Sequence, residues 1–206
     1  VSLTALDAKS QVLAAKETGA NVVWHGNTTM SVATAIKDAY ALKFDADHIV
    51  NNWGFDKNLV RMTGQAGEGV IGAASTAFLE MDVPYMEKVR EYCKKVNPGV
   101  PMDKRDIRTV QGWLKVGLAA AGLKIADKKG NIDGPSLKAS LESLKDWYPF
   151  DTKNALGVGP YTITDKDHRP TPVSSLYTIK DGKIVLFEKV NMKEKFPEQW
   201  AKWLGW

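Results

Sequence analysis

The sequence predicts an α/β protein whose core is a parallel sheet, and three observations carry the prediction. Strand-like runs alternate with helix-period segments from residue 7 to residue 74. Helix-period segments alone follow from Asp82 to residue 145. The last quarter then returns to strands that form a hairpin. Alternation of the first kind implies parallel strands joined by crossover helices packed on the faces of the sheet.

Asp7 caps a first helix whose apolar positions Ala8, Val12 and Ala15 recur at helical spacing, and Gly19 suits its end. Asn21-Val22-Val23-Trp24-His25 reads as a short buried strand. Asn27 or Thr28 opens a second helix, with Val32, Ile36, Ala39 and Tyr40 on one face. His48-Ile49-Val50-Asn51-Asn52 is the next strand, and Asp56 or Lys57 starts a short helix through Met62. Gly67 and Gly69 turn the chain into a strand over residues 70–74.

The pattern changes at Asp82, which with Pro84 marks a helix start. Tyr85, Val89, Tyr92 and Val96 form its apolar stripe, and Asn97-Pro98-Gly99 ends it. A following helix points Ile107, Val110, Leu114, Leu118 and Ala121 inward, with Gly122 near its end. Another begins near Pro135 and carries Leu137, Leu141 and Leu144. Tyr161-Thr162-Ile163 reads as a strand, and residues 176–180 and 184–189 flank the turn pair Asp181-Gly182 as a hairpin. Trp200, Trp203 and Trp206 mark an amphipathic terminal helix that packs on the body.

Composition narrows the function. The 206 residues are 44% hydrophobic and 25% charged, enough for a sizeable core. No apolar run approaches the roughly 18–20 residues that span a bilayer. Val1 is followed closely by Asp7, Lys9 and Lys16, so no leader is read there, and a processed or truncated product or a cytoplasmic protein is expected. The net charge of +4 is spread among acids, as in Asp103-Lys104-Arg105-Asp106, which reads as a solvated surface rather than a nucleic-acid stripe. A single cysteine, Cys93, excludes an internal disulfide and a Cys-rich metal site.

Four stretches, in order, resemble the type I periplasmic binding proteins, in particular the branched-chain amino acid binding family. They are Asp7-Ala8-Lys9-Ser10-Gln11 running on to Ala20-Asn21-Val22-Val23, the glycine turn Ala66-Gly67-Glu68-Gly69-Val70-Ile71-Gly72, the crossover from Asp151 past Gly159-Pro160-Tyr161 to Asp167-His168, and the hairpin at Asp181-Gly182. The resemblance covers nearly the whole chain. It implies the C-terminal part of a protein with two Rossmann-like lobes and a ligand cleft between them. Residues 1–81 would be the C-lobe without its first strand, 82–150 helices belonging to the N-lobe, and 151–206 the crossover, the hairpin and a terminal helix. A leader would have been removed, and the N-terminal portion would be missing from this chain. The implied role is that of a periplasmic or extracellular solute-binding component of an ABC transporter, needing no cofactor. Its partners would be a small organic ligand and the transporter's membrane permease subunits, with no nucleic acid.

Ligands of open parallel sheets bind at the carboxyl ends of the strands. After the first strand, Asn27, Thr28 and Thr29 bring an amide and hydroxyls to a helix start, where they cap the helix, bind an anionic group, or do both. After the second, Trp53, Gly54, Phe55 and Asp56 offer two exposed aromatics as the apolar wall of a pocket, or as packing between lobes. After the third, Phe78 contacts ligand or packs a hinge. The resemblance implies an amino acid or small carboxylate as ligand. Amino-acid-binding members of the family place a carboxylate where this sequence has Trp53, with Asp56 three residues later, and that departure favours a less cationic aromatic or aliphatic carboxylate over an α-amino acid.

Enzyme signatures are absent from the sequence. His25, His48 and His168 lack metal-ligand spacing, and His25 reads as a structural histidine. The run Gly64, Gly67, Gly69 precedes a strand rather than linking strand to helix, so it is no phosphate loop. The reading is therefore a non-enzymatic solute-binding protein. The alternatives are a ligand-sensing receptor ectodomain and, with less support, an α/β enzyme.

Overall fold

The computed structural model of the chain describes Ser2 and residues 6–203. Two compact units make up the chain: unit one is residues 1–75 with 174–190, and unit two is 76–173 with 191–206. The divisions fall after Ser75, Val173 and Val190, against the boundaries at 81 and 150 expected from the sequence.

Unit one holds the sheet, in the order β1-β2-β3-β4-β5. The strands are β1 (Val22–His25), β2 (Asp47–Val50), β3 (Ile71–Ala74), β4 (Val173–Lys180) and β5 (Lys183–Asn191). The first three are parallel, with Trp24 opposite Ile49 and Val50 opposite Gly72. Their carboxyl ends therefore share one edge. β4 runs antiparallel to β3, with Ala74 opposite Ser175. α1 (Lys9–Glu17) precedes β1, while α2 (Thr29–Ala41) and α3 (Lys57–Thr63) connect the parallel strands, packed α1 on α2 and α2 on α3. The helix α1 begins beside Ala8, whose amide donates to the Asp38 carboxylate at 2.6 Å, and it turns off at Gly19 with φ 73°. Val32, Ile36 and Ala39 of α2 are buried as expected, whereas Tyr40 is exposed.

The hairpin follows its turn chemistry. Asp181 and Gly182 both have positive φ, 52° and 67°, the geometry of a two-residue turn that matches strand twist. The Glu68 carboxylate accepts both amides of that turn, from Asp181 at 2.9 Å and from Gly182 at 2.7 Å. The Gly69 amide donates to the Ile179 carbonyl at 2.9 Å. The start of β3 is thereby clamped to a turn more than a hundred residues later.

Unit two is helical: α4 (Met86–Val96), α5 (Ile107–Lys128), α6 (Gly134–Leu141), α7 (Met192–Lys195) and α8 (Pro197–Lys202). α4 starts later than Pro84 because Tyr85 takes a left-handed φ of 71° just before it. Its buried face is Met86, Val89 and Cys93, while Tyr92 and Val96 of the expected stripe are exposed. On α5, Ile107, Val110 and Leu114 face inward as expected, and α6 packs where Gly122 leaves room for Leu137 and Leu141. Tyr161 pairs with Trp147 as an isolated bridge rather than within a strand. The guanidinium of Arg169 lies 3.6 Å from the centre of the Trp200 ring and donates to the Trp200 carbonyl at 2.8 Å, tying α8 to its unit. Trp206, expected in the terminal helix, lies outside the described residues.

Candidate functional site

The loops after β1 and β2, together with Ser75, lie at the carboxyl-end edge of the parallel strands in unit one. The first runs from Gly26 to Thr28 and enters α2; the second runs from Asn51 to Asp56 and enters α3. They touch. Thr29 Oγ1 donates to Asp56 Oδ2 at 2.8 Å, and a Cβ added at Gly54 would sit 2.8 Å from the Asn27 carbonyl oxygen. Gly54 is thus required by close approach of the two loops.

The second loop is held from within. Asn51 Oδ1 accepts from the amides of Trp53 at 3.0 Å and Gly54 at 2.9 Å. Asn52 Oδ1 accepts from the amide of Ser75 at 3.4 Å, joining the β2 end to the β3 end. Phe55 is fully buried, with its ring filling the space that the missing side chain of Gly72 leaves on β3. This corrects the expectation of two exposed aromatics: only Trp53, 57% exposed, is available at the surface. A phenyl ring beside a glycine in the next strand is absorbed by the core because nothing else fills that slot.

Asp56 is also withdrawn from the surface. It is 3% exposed, and its Oδ1 accepts from Asn58 N at 2.9 Å and Leu59 N at 3.0 Å as the N-cap of α3. The N-cap of α2, Thr28, makes no side-chain capping bond. Asn27 Oδ1 instead accepts from the Thr28 amide at 3.0 Å. Of the expected residues, unit one brings together Asn27, Thr28, Thr29, Trp53, Gly54 and Asp56, with Phe55 beneath them. Phe78 belongs to unit two and is fully buried.

Sequence reasoning placed Asn51 and Asn52 inside a strand and left Ser75 out of the candidate site, reading it as part of a run approaching a hinge, although a pair of asparagines at a strand end is a recognisable turn signal. It also missed the partner of His25. His25 Nε2 lies 2.8 Å from His48 Nδ1 on the neighbouring strand, a bond that needs one of the two nitrogens protonated and the other bare. Burial, and then the charge of His48, push the His25 pKa down to about 4. Burial lowers His48 as well, partly opposed by Asp47. The pair lines a cavity of about 470 Å³ with Gln11, Trp24, Asn27 and Phe44. A larger groove, about 990 Å³, runs along α4 and α5 in unit two. Its wall is mostly apolar, with Trp113, Trp147 and Phe150 in it, and Arg105 in that wall donates through Nη2 to the carbonyls of Cys93 and Asn97. Among the described residues, no cluster of His, Cys, Asp or Glu is built to hold a metal.

Open α/β sheets bind ligands outside the carboxyl ends of their strands, the edge at which these loops lie. The chain belongs to the periplasmic binding protein family, whose pattern matches residues 1–183. Its fold is similar to that of a branched-chain amino acid ABC transporter protein from Thermus thermophilus solved with bound valine, at 20% identity and a TM-score of 0.78, over 93% of this chain and 52% of that one. It is similar to an ABC transporter substrate-binding protein from Aeropyrum pernix, at 22% identity and a TM-score of 0.73, over 89% of this chain and 47% of that one. A fatty acid ABC transporter substrate-binding protein from Thermomonospora curvata matches at 19% identity and a TM-score of 0.73, over 93% and 48%. The chain spans about half the length of these solved structures. None of the curated protein sequences compared matches it.

Proposed function

We propose that this chain is the C-terminal part of a periplasmic or extracellular solute-binding protein that delivers a small organic solute to the permease subunits of an ABC transporter. Unit one corresponds in this reading to the C-lobe, and the N-terminal portion of the same protein supplies the rest of the ligand site. The supporting observation is the convergence of Asn27, Thr28, Thr29, Trp53 and Gly54 at the carboxyl edge of three parallel strands, in a chain of this family. Binding is at equilibrium: ligand selects a closed form by its greater affinity for that state, and the permease reads the closed shape. The one carboxylate in these loops, Asp56, is buried as a helix cap, which fits a binding role.

A thermal-shift screen of the full-length protein tests this. The panel holds branched-chain amino acids, aromatic carboxylates, short aliphatic acids, urea and simple amides. A ligand present at about 100 times its dissociation constant adds roughly 2.7 kcal/mol, a clear rise in melting temperature. At least one saturable shift is expected; silence across the panel counts against a small organic solute.

A further inference from the structure

We infer that the solute meets the unit-one face without an ammonium group, laying an apolar body against Trp53. The inference rests on the proposed binding role and specifies its substrate class. The residues that end the parallel strands, 26–28, 51–56 and Ser75, contain one acid, Asp56. That acid already accepts two backbone N–H groups at 2.9 and 3.0 Å and the Thr29 hydroxyl at 2.8 Å, in a position 3% exposed. An ammonium could reach it only by displacing the α3 cap and the link between the two loops. The next charged residue along the chain, Lys57, is itself cationic. An ammonium desolvated on this face would lack a counter-charge, and an unpaired charge taken out of water is heavily penalised.

The positive side of the selection comes from Trp53. Trp53 is 57% exposed, yet its backbone is fixed through the Asn51 side chain at 3.0 Å, so the residue sits on an ordered strand end. The other residues at this strand edge, Asn27, Thr28, Asn52 and Ser75, carry uncharged amides and hydroxyls. An apolar wall with a few neutral hydrogen-bonding groups fits an aliphatic or aromatic body better than a zwitterion.

Matched pairs test the inference on the full-length protein by titration calorimetry: L-leucine against 4-methylpentanoate, and L-phenylalanine against 3-phenylpropanoate. Each pair differs in the amine alone. The amine-free member of at least one pair is expected to bind about tenfold tighter or better, and Trp53→Ala is expected to weaken that binding by about tenfold. Tighter binding of the amino acid, lost in Asp56→Asn, would overturn the inference while leaving the solute-binding role intact. Failure of all four compounds would also overturn it. Whether the binding role falls with it is read separately from the wider thermal-shift panel, whose ureas and amides lie outside both pairs.

Discussion

The loops after β1 and β2 leave neighbouring parallel strands at the same edge and each enter a helix, yet they close differently. The second ends in Asp56, whose buried carboxylate takes two amides of α3 and a hydroxyl from α2, while Phe55 anchors it against β3. The first ends in Thr28, which forms no side-chain cap, and its polar groups stay at or near the surface. A charged side chain in a strand-end loop is therefore a poor guide to ligand chemistry, because the fold can consume it. The neutral groups that the fold leaves at the surface are the better guide. Here the structural carboxylate and the exposed indole sit three residues apart in one loop.

The contrast predicts unequal responses. Asp56→Ala removes the α3 cap and strands two amides and the Thr29 hydroxyl, and is expected to cost about 2 kcal/mol in denaturant unfolding. A cost below about 0.5 kcal/mol would mean that the carboxylate is not structural. A smaller effect is expected from acid, through the strand that feeds the first loop. His25 binds its proton less tightly in the fold than in the unfolded chain, so its contribution is complete above pH 6.5 and is lost as pH falls from 6.5 toward about 4. Stability at pH 5 should be about 1–2 kcal/mol below that at pH 8, allowing for partial solvent access, and His25→Gln should flatten the loss. An unchanged pH profile in that variant would exclude the pair as its source. Thr28→Ala is expected to change stability least, by no more than about 0.5 kcal/mol, since no cap bond is removed.

Much of this is legible in the sequence. The helix and strand order of residues 9–74 follows from periodicity, and the Asp181-Gly182 turn from its residue types. Asp56 and Thr28 were readable as helix starts because short oxygen-bearing side chains favour that position. What was not legible depends on partners far along the chain. Nothing local to Phe55 announces that Gly72 leaves a slot for it. His25 and His48 become a pair only through strand register. On α4 the stripe through Tyr85 and Tyr92 and the stripe through Met86 and Cys93 are both helical in period, and packing on unit two selected the second. The lone strand expected at Tyr161 reduces to one bridge because Trp147 is its sole ladder partner among the described residues.

The clamp that Glu68 places on the hairpin turn has a consequence for biosynthesis. β3 finds its antiparallel neighbour only after the ribosome has delivered the segment that begins at Val173, some hundred residues later. Unit two is largely encoded in that interval. Contacts of such sequence separation are slow to form, since loop closure must come before they contribute. The half-sheet β1-β2-β3 must therefore wait, with the edge of β3 unpaired, while α4, α5 and α6 emerge and can fold. An edge of mostly small residues such as Ile71-Gly72-Ala73-Ala74, with a single large β-branched side chain, suits that wait better than a run of large β-branched residues, which would invite a strand from another chain.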